Sequence, residues 1–156
     1  MDKHYLTPLF APASIAVLAG RADNPESLTS YAQALHPALR AQRFAGSLQF
    51  VDTHTSGTLA DLAQRKSDLA IIALPPAEVP AALEVAGRIG CRAALVLSSG
   101  MDADQAANLK QIARREGLYL LGPNSLGFQR PHLQLNASAA GPLASDGPLA
   151  LVCQSG

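Results

Sequence analysis

Six short apolar runs punctuate the chain: Ser14–Gly20, Ser47–Val51, Asp68–Leu74, Ala93–Leu97, Leu118–Leu121 and Leu149–Val152. Two of them, Leu69-Ala-Ile-Ile-Ala73 and Ala93-Ala-Leu-Val-Leu97, are apolar at every position. A strand solvated on one face alternates polar with apolar residues, so unbroken runs predict strands covered on both faces. Amphipathic segments stand between the runs. Ser27–Phe44 sets Leu28, Tyr31, Leu35 and Leu39 at helical spacing, with Ser27 in the N-cap position. Pro37 inside it predicts a kink or break near His36, because proline lacks the N–H that the helix ladder needs. Further helices are expected over Thr58–Gln64, Val79–Ile89 and Asp102–Glu116, with Gly90 and Gly117 standing where C-caps stand. Regular alternation of strand and helix predicts a doubly wound parallel sheet with helices on both faces, three layers deep, with Ile15–Ala19 as a central strand. Residues 129–147, rich in Pro, Ala, Ser and Gly, read as a loop or an extended crossing segment.

Composition narrows the function classes. At 156 residues the chain is long enough for one domain with its own core. Lys plus Arg balances Asp plus Glu at 12 each, and no basic stripe is visible. Nucleic acid and anionic membrane surfaces are therefore not expected partners, and pairs such as Arg40/Arg43 and Arg114/Arg115 read as solvated helix faces. Two cysteines, Cys91 and Cys153, imply no disulfide framework. The apolar stretch Ile15–Ala19 is too short for a signal core or a membrane span, so the expected location is cytoplasmic.

Ligands of open α/β sheets bind beyond the carboxyl ends of the strands, where the strand order reverses. The residues just past the strands are Gly20-Arg21-Ala22, Asp52-Thr53, Pro75-Pro76, Ser98-Ser99-Gly100 and Pro123-Asn124-Ser125. Glycine, proline and small polar residues let a ligand approach the backbone and expose N–H donors to phosphate. Each turn taken alone is equally what any strand-to-helix turn requires. The case rests on five of them along one edge. Other chemistries find less. His4, His36, His54 and His132 have no ligand-like spacing to one another or to the cysteines, so no metal site is expected. No Gly-x-Ser-x-Gly elbow and no Gly-Lys-Ser/Thr phosphate loop is present, and the serines have no base nearby in sequence. Cys91, between a helix-ending glycine and a buried strand, reads as an inert thiol. No catalytic residues are assigned, and the chain by itself is expected to have no turnover.

The most specific stretch is Leu120-Leu-Gly-Pro-Asn-Ser-Leu-Gly127. Together with Leu135-Asn-Ala-Ser138 and Gly147-Pro-Leu-Ala-Leu-Val-Cys-Gln-Ser-Gly156 it resembles the N-terminal region of the NDP-forming (ADP-forming) acyl-CoA synthetases. Leu9-Phe10, Pro12, Ser14-Ile-Ala-Val17, Asp68-Leu-Ala-Ile-Ile72 and Gly90-Cys-Arg-Ala-Ala94 leading to Ser98-Ser-Gly100 are similar in the same order. The same region occurs in the succinyl-CoA synthetase α subunit and in bacterial protein lysine acetyltransferases, and the Gly-Pro-Asn block with Leu135–Ser138 is slightly closer to the latter. The resemblance implies a Rossmann-like CoA-binding domain over residues 1–128, a connecting segment over 129–147, and the first strand of a following domain over 148–156. It implies a piece of a larger protein, whose phosphorylated histidine, nucleotide-grasping and acetyltransferase modules lie elsewhere. The expected ligand is CoA or acyl-CoA, acetyl-CoA first, and the expected partners are other domains of the parent chain.

Two departures bear on the ligand. The family has Gly-Ala-Ser after its first strand, where Gly20-Arg21-Ala22 stands here, and a proline turn after the second, where Asp52-Thr53 stands. Asp52 would repel the 3′-phosphate of CoA, and Arg21 could offset it. On the residues alone two other readings stay open. One is an NAD-binding oxidoreductase domain with Asp52 on the ribose, although only Gly20 of the Gly-x-Gly-x-x-Gly fingerprint is in place. The other is a degenerate regulatory module that kept the fold and lost the ligand.

Overall fold

The continuous apolar runs become the interior strands of a parallel sheet. The computed structural model describes residues 4–20, 28–41, 43–51 and 66–153. Five strands, β1 (Ser14–Leu18), β2 (Ser47–Phe50), β3 (Leu69–Ile72), β4 (Ala93–Val96) and β5 (Tyr119–Leu121), pair in the order β2-β1-β3-β4-β5, every pair parallel. β1 is interior, as its all-apolar sequence requires, while the middle place in the order belongs to β3.

Alternate residues of each interior strand feed two separate cores. Ala16, Leu18, Ala70, Ile72, Ala94 and Val96 face helices α3 (Val79–Arg88) and α4 (Ala103–Glu116). Ile15, Val17, Leu69, Ile71, Ala93 and Leu95 face the short α1 (Thr7–Phe10), α2 (Ser30–Arg40) and a strand from the tail. The result is the doubly wound, Rossmann-like three-layer arrangement.

Helix signals are confirmed at α4. Asp102 accepts from the Gln105 N–H while the Gln105 side chain accepts from the Asp102 N–H, and Gly117 closes the helix in the left-handed region at φ 70°. Gly90 follows α3 at φ 85°. α2 departs from expectation. Its cap is Thr29, it ends at Arg40, and it runs through Pro37 without breaking. Gln33 and Pro37 both lie on its exposed side, so the one ladder bond that proline removes is lost where water can replace it. Ser27 and the helix expected over Thr58–Gln64 lie outside the described residues.

The tail corrects the sequence reading. Instead of a loop, β6 (Gly127–Arg130) and β7 (Leu135–Ser138) form an antiparallel hairpin around a 3-10 turn at Pro131–Leu133. All four β7 residues are buried. Phe128 packs edge-on against Phe10 at 5.4 Å, and the Arg130 guanidinium donates to the Phe10 carbonyl at 2.7 Å. These strands are short because tertiary contacts, not a long apolar run, hold them. The run at Leu149–Val152, expected as a strand, pairs with nothing among the described residues; Leu149, Leu151 and Val152 are 93–95% exposed.

Candidate functional site at the carboxyl edge of the sheet

The chain leaves β1 to build β2 on one side and returns to build β3, β4 and β5 on the other. The order therefore reverses between β1 and β3, and the crevice beyond their carboxyl ends is the ligand position of such sheets. Gly20 lies there at φ 70°, and a Cβ on it would come within 2.9 Å of Leu28 Cδ2. Glycine at this turn is thus favoured by its left-handed backbone, and the Leu28 methyl would have to move aside for a larger residue.

The next exits are tied together through backbone carbonyls. The buried Ser98 hydroxyl donates to the Leu74 carbonyl at 2.6 Å, and the Asn124 N–H donates to the Ser98 carbonyl at 2.9 Å. Ser98 thereby ties its own turn to the residue before Pro75 and Pro76, with its hydroxyl proton committed to that bond. Ser99 is half-buried, and Gly100 is exposed at φ 82°. Gly122 lies against β4, where a Cβ would run into the Val96 carbonyl, and is followed by a cis bond to Pro123. Asn124 is exposed in the left-handed region at φ 57°, and Ser125 Oγ accepts from the Gly127 N–H at 3.1 Å. The structure thus brings Gly20, Pro75, Pro76, Ser98, Ser99, Gly100, Pro123, Asn124 and Ser125 to one edge. Arg21, Ala22, Asp52 and Thr53 lie outside the described residues.

Helix starts differ in what they offer an anion. At α4 the Gln105 N–H is engaged by the charged Asp102 cap, and Asp104 adds charge. Glu78 precedes α3, and Pro80 removes one of its donors. α2 has no acidic residue in its first turn and is capped by the neutral Thr29. Among the described helices longer than one turn, it is the one with no acidic residue at its cap or in its first turn.

Sequence reasoning missed Thr29 and His36. The Thr29 hydroxyl accepts from the Ala32 N–H and donates to the Ala73 carbonyl. His36, 5% exposed, turns Nε2 to the Ala19 carbonyl. A threonine two residues before the first helical apolar position was a readable capping signal; the contact from residue 36 to residue 19 had none. Cys91 is buried, and desolvation, reinforced by the Asp68 charge, pushes its thiol up to about 12, as an inert thiol requires. No cluster of His, Cys, Asp and Glu among the described residues could hold a metal ion, and no helix among them is long and apolar enough to cross a membrane.

Two solved structures share the fold: a dinucleotide-forming acetyl-coenzyme A synthetase from Ca. Korarchaeum cryptofilum, and a Pyrococcus horikoshii OT3 protein. The first has TM-score 0.73 and 24% identity, covering 87% of this chain and 31% of that one. The second has TM-score 0.76 and 23% identity, covering 91% and 34%. The ADP-forming acetate–CoA ligase of Methanocaldococcus jannaschii is 33% identical over 93 residues, 57% of this chain and 13% of the ligase. The α subunit of ADP-forming acetate–CoA ligase I from Pyrococcus furiosus is 35% identical over 95 residues, 57% of this chain and 21% of the subunit. The chain thus spans about a fifth or less of the length of these curated relatives. A family model described as a CoA binding domain matches residues 47–131, more than half of the sequence. The chain belongs to the CoA binding domain family, and its relatives include the ADP-forming acetate–CoA ligases.

Proposed function

We propose that the chain binds CoA or acyl-CoA, with acetyl-CoA as the physiological form, and presents the thioester to catalytic domains of a larger ADP-forming acyl-CoA synthetase. The observation that carries this is the N-terminus of α2, capped by the neutral Thr29 with no acidic residue in its first turn and tied to the carboxyl end of β3, in a chain of the CoA-binding family. The diphosphate would lie over the turn from Gly20 to Ala22, with Ser99 and Gly100 along the pantetheine. Pro123, Asn124 and Ser125 would form the wall toward the thiol. Acetate is the substrate named for the ligase relatives, which supports acetyl-CoA over longer acyl forms. In this reading residues 1–128 and the hairpin strand that follows form the ligand-binding unit, and 148–156 open the next domain, whose strands would cover Leu149, Leu151 and Val152.

Calorimetric titration with CoA, acetyl-CoA and NAD tests the reading. Arg21 is the one cation in the Gly20–Ala22 turn, and a charge-assisted contact to phosphate makes Arg21→Ala weaken CoA roughly ten- to a hundredfold. Asp52→Asn should leave CoA affinity unchanged or raise it, because it removes a like charge near the adenosine phosphate. For NAD the sign reverses, since Asp52 would accept from ribose hydroxyls. NAD binding without CoA binding sinks the proposal, and binding of neither returns the chain to a regulatory module.

A further inference from the structure

His36 is a buried polar side chain with no evident stabilising return. Its ring stacks on Phe50 at 5.1 Å and 15°, as a phenyl ring could. Nε2 lies 3.3 Å from the Ala19 carbonyl, which accepts only, so the hydrogen sits on Nε2. Nδ1 is then a bare acceptor, and it is buried without a partner. A buried acceptor left unmade costs free energy that an apolar side chain would not incur. The contact that it does make falls on one particular carbonyl, that of the residue immediately before Gly20.

Thr29, at the start of the same helix, makes the matching contact on the neighbouring strand. Its hydroxyl donates to the Ala73 carbonyl at 2.8 Å. Ala19 and Ala73 are the first residues past β1 and β3, and the Ala73 N–H bonds the Leu18 carbonyl at 3.0 Å. The two side chains of α2 therefore grip the two carbonyls that flank the switch point. Thr29 ties the start of α2 and His36 its middle to these strand ends, and each engages the negative end of a carbonyl beside the switch point.

We infer that His36 and Thr29 are positioning residues for the diphosphate of the bound coenzyme, a reading that rests on the CoA assignment above. They touch no ligand; they hold the N–H groups of α2 in place and quench the strand-end carbonyls beside them. The test separates this from a packing role by measuring CoA affinity and thermal stability together. His36→Phe keeps the stack on Phe50 and removes both ring nitrogens. It should hold or raise the melting temperature while weakening CoA about tenfold, the loss expected for one hydrogen bond. His36→Gln returns an N–H donor and should recover most of that affinity. Thr29→Val against Thr29→Ser repeats the comparison at the other carbonyl and serves if His36→Phe fails to fold. The loss should be the same factor for CoA and for dephospho-CoA, since both carry the diphosphate. Unchanged affinity in His36→Phe and Thr29→Val, a loss that tracks the melting temperature without rescue by the donor variants, or a loss seen with CoA but not dephospho-CoA overturns the inference. Wild-type protein that binds neither CoA nor acetyl-CoA removes the functional reading first, and this one with it.

Discussion

Cys91 and Cys153 show how one residue type takes its chemistry from its surroundings. Cys91 is 2% exposed between α3 and β4, where solvent is lost to the thiolate and Asp68 adds a like charge. Cys153 is exposed. At pH 8 an aromatic disulfide reagent should modify Cys153 promptly and Cys91 only after denaturation, because the thiolate is the reactive form. The pH dependence follows in sign. The folded state keeps the Cys91 proton more tightly than the unfolded chain, so its contribution to stability is complete below the ordinary value of 9.0. That contribution is lost as pH rises toward about 12. Prompt reaction of both thiols in the native state would contradict the burial.

At the scale of elements, α2 is where sequence rules and tertiary context part. Pro37 argues for a break, yet the helix continues to Arg40 because Leu35 and Leu39 lie in the core and Thr29 anchors its start. The proline is therefore tolerated rather than required. Pro37→Ala restores an N–H to the exposed side of the helix and should stabilise the protein by about 2 kcal/mol, the helix-interior cost of proline less the extra freedom gained by the unfolded chain. Urea unfolding measures it. A loss of stability would mean that the proline shapes the helix for a neighbour.

For the whole molecule, the hairpin is part of the core and not an appendage to it. Leu135 and Ala137 are fully buried in the layer formed by α1, α2 and the sheet, although the family match ends at residue 131. Leu135→Ala should cost about 2–5 kcal/mol, as for other large buried side chains cut back to alanine. Truncation after Ala144 should leave the melting temperature nearly unchanged, since the residues beyond it that the structure describes are exposed. Equal stability for Leu135→Ala and wild type would show that the hairpin docks loosely.

The order of apolar runs determined a great deal without any structure. Each sheet strand was legible to within one or two residues, because a strand covered on both faces cannot hide its composition. Layering followed from alternation, and α4 from Asp102, Gln105 and Gly117. The resemblance carried by Leu120–Gly127 determined the family. What the tertiary structure alone decided lies where the responsible contacts are distant in sequence. The hairpin buries its β7 residues and half-buries those of β6 through Phe10, α2 and cross-strand pairing, contacts that a local window does not contain. The turn at Ser98 also carries a side-chain tie to the Leu74 carbonyl at 2.6 Å, a contact that composition cannot express. His36 read as one scattered histidine among four; only folding brought it to the Ala19 carbonyl, because hydrogen-bond geometry is a property of space and not of spacing along the chain.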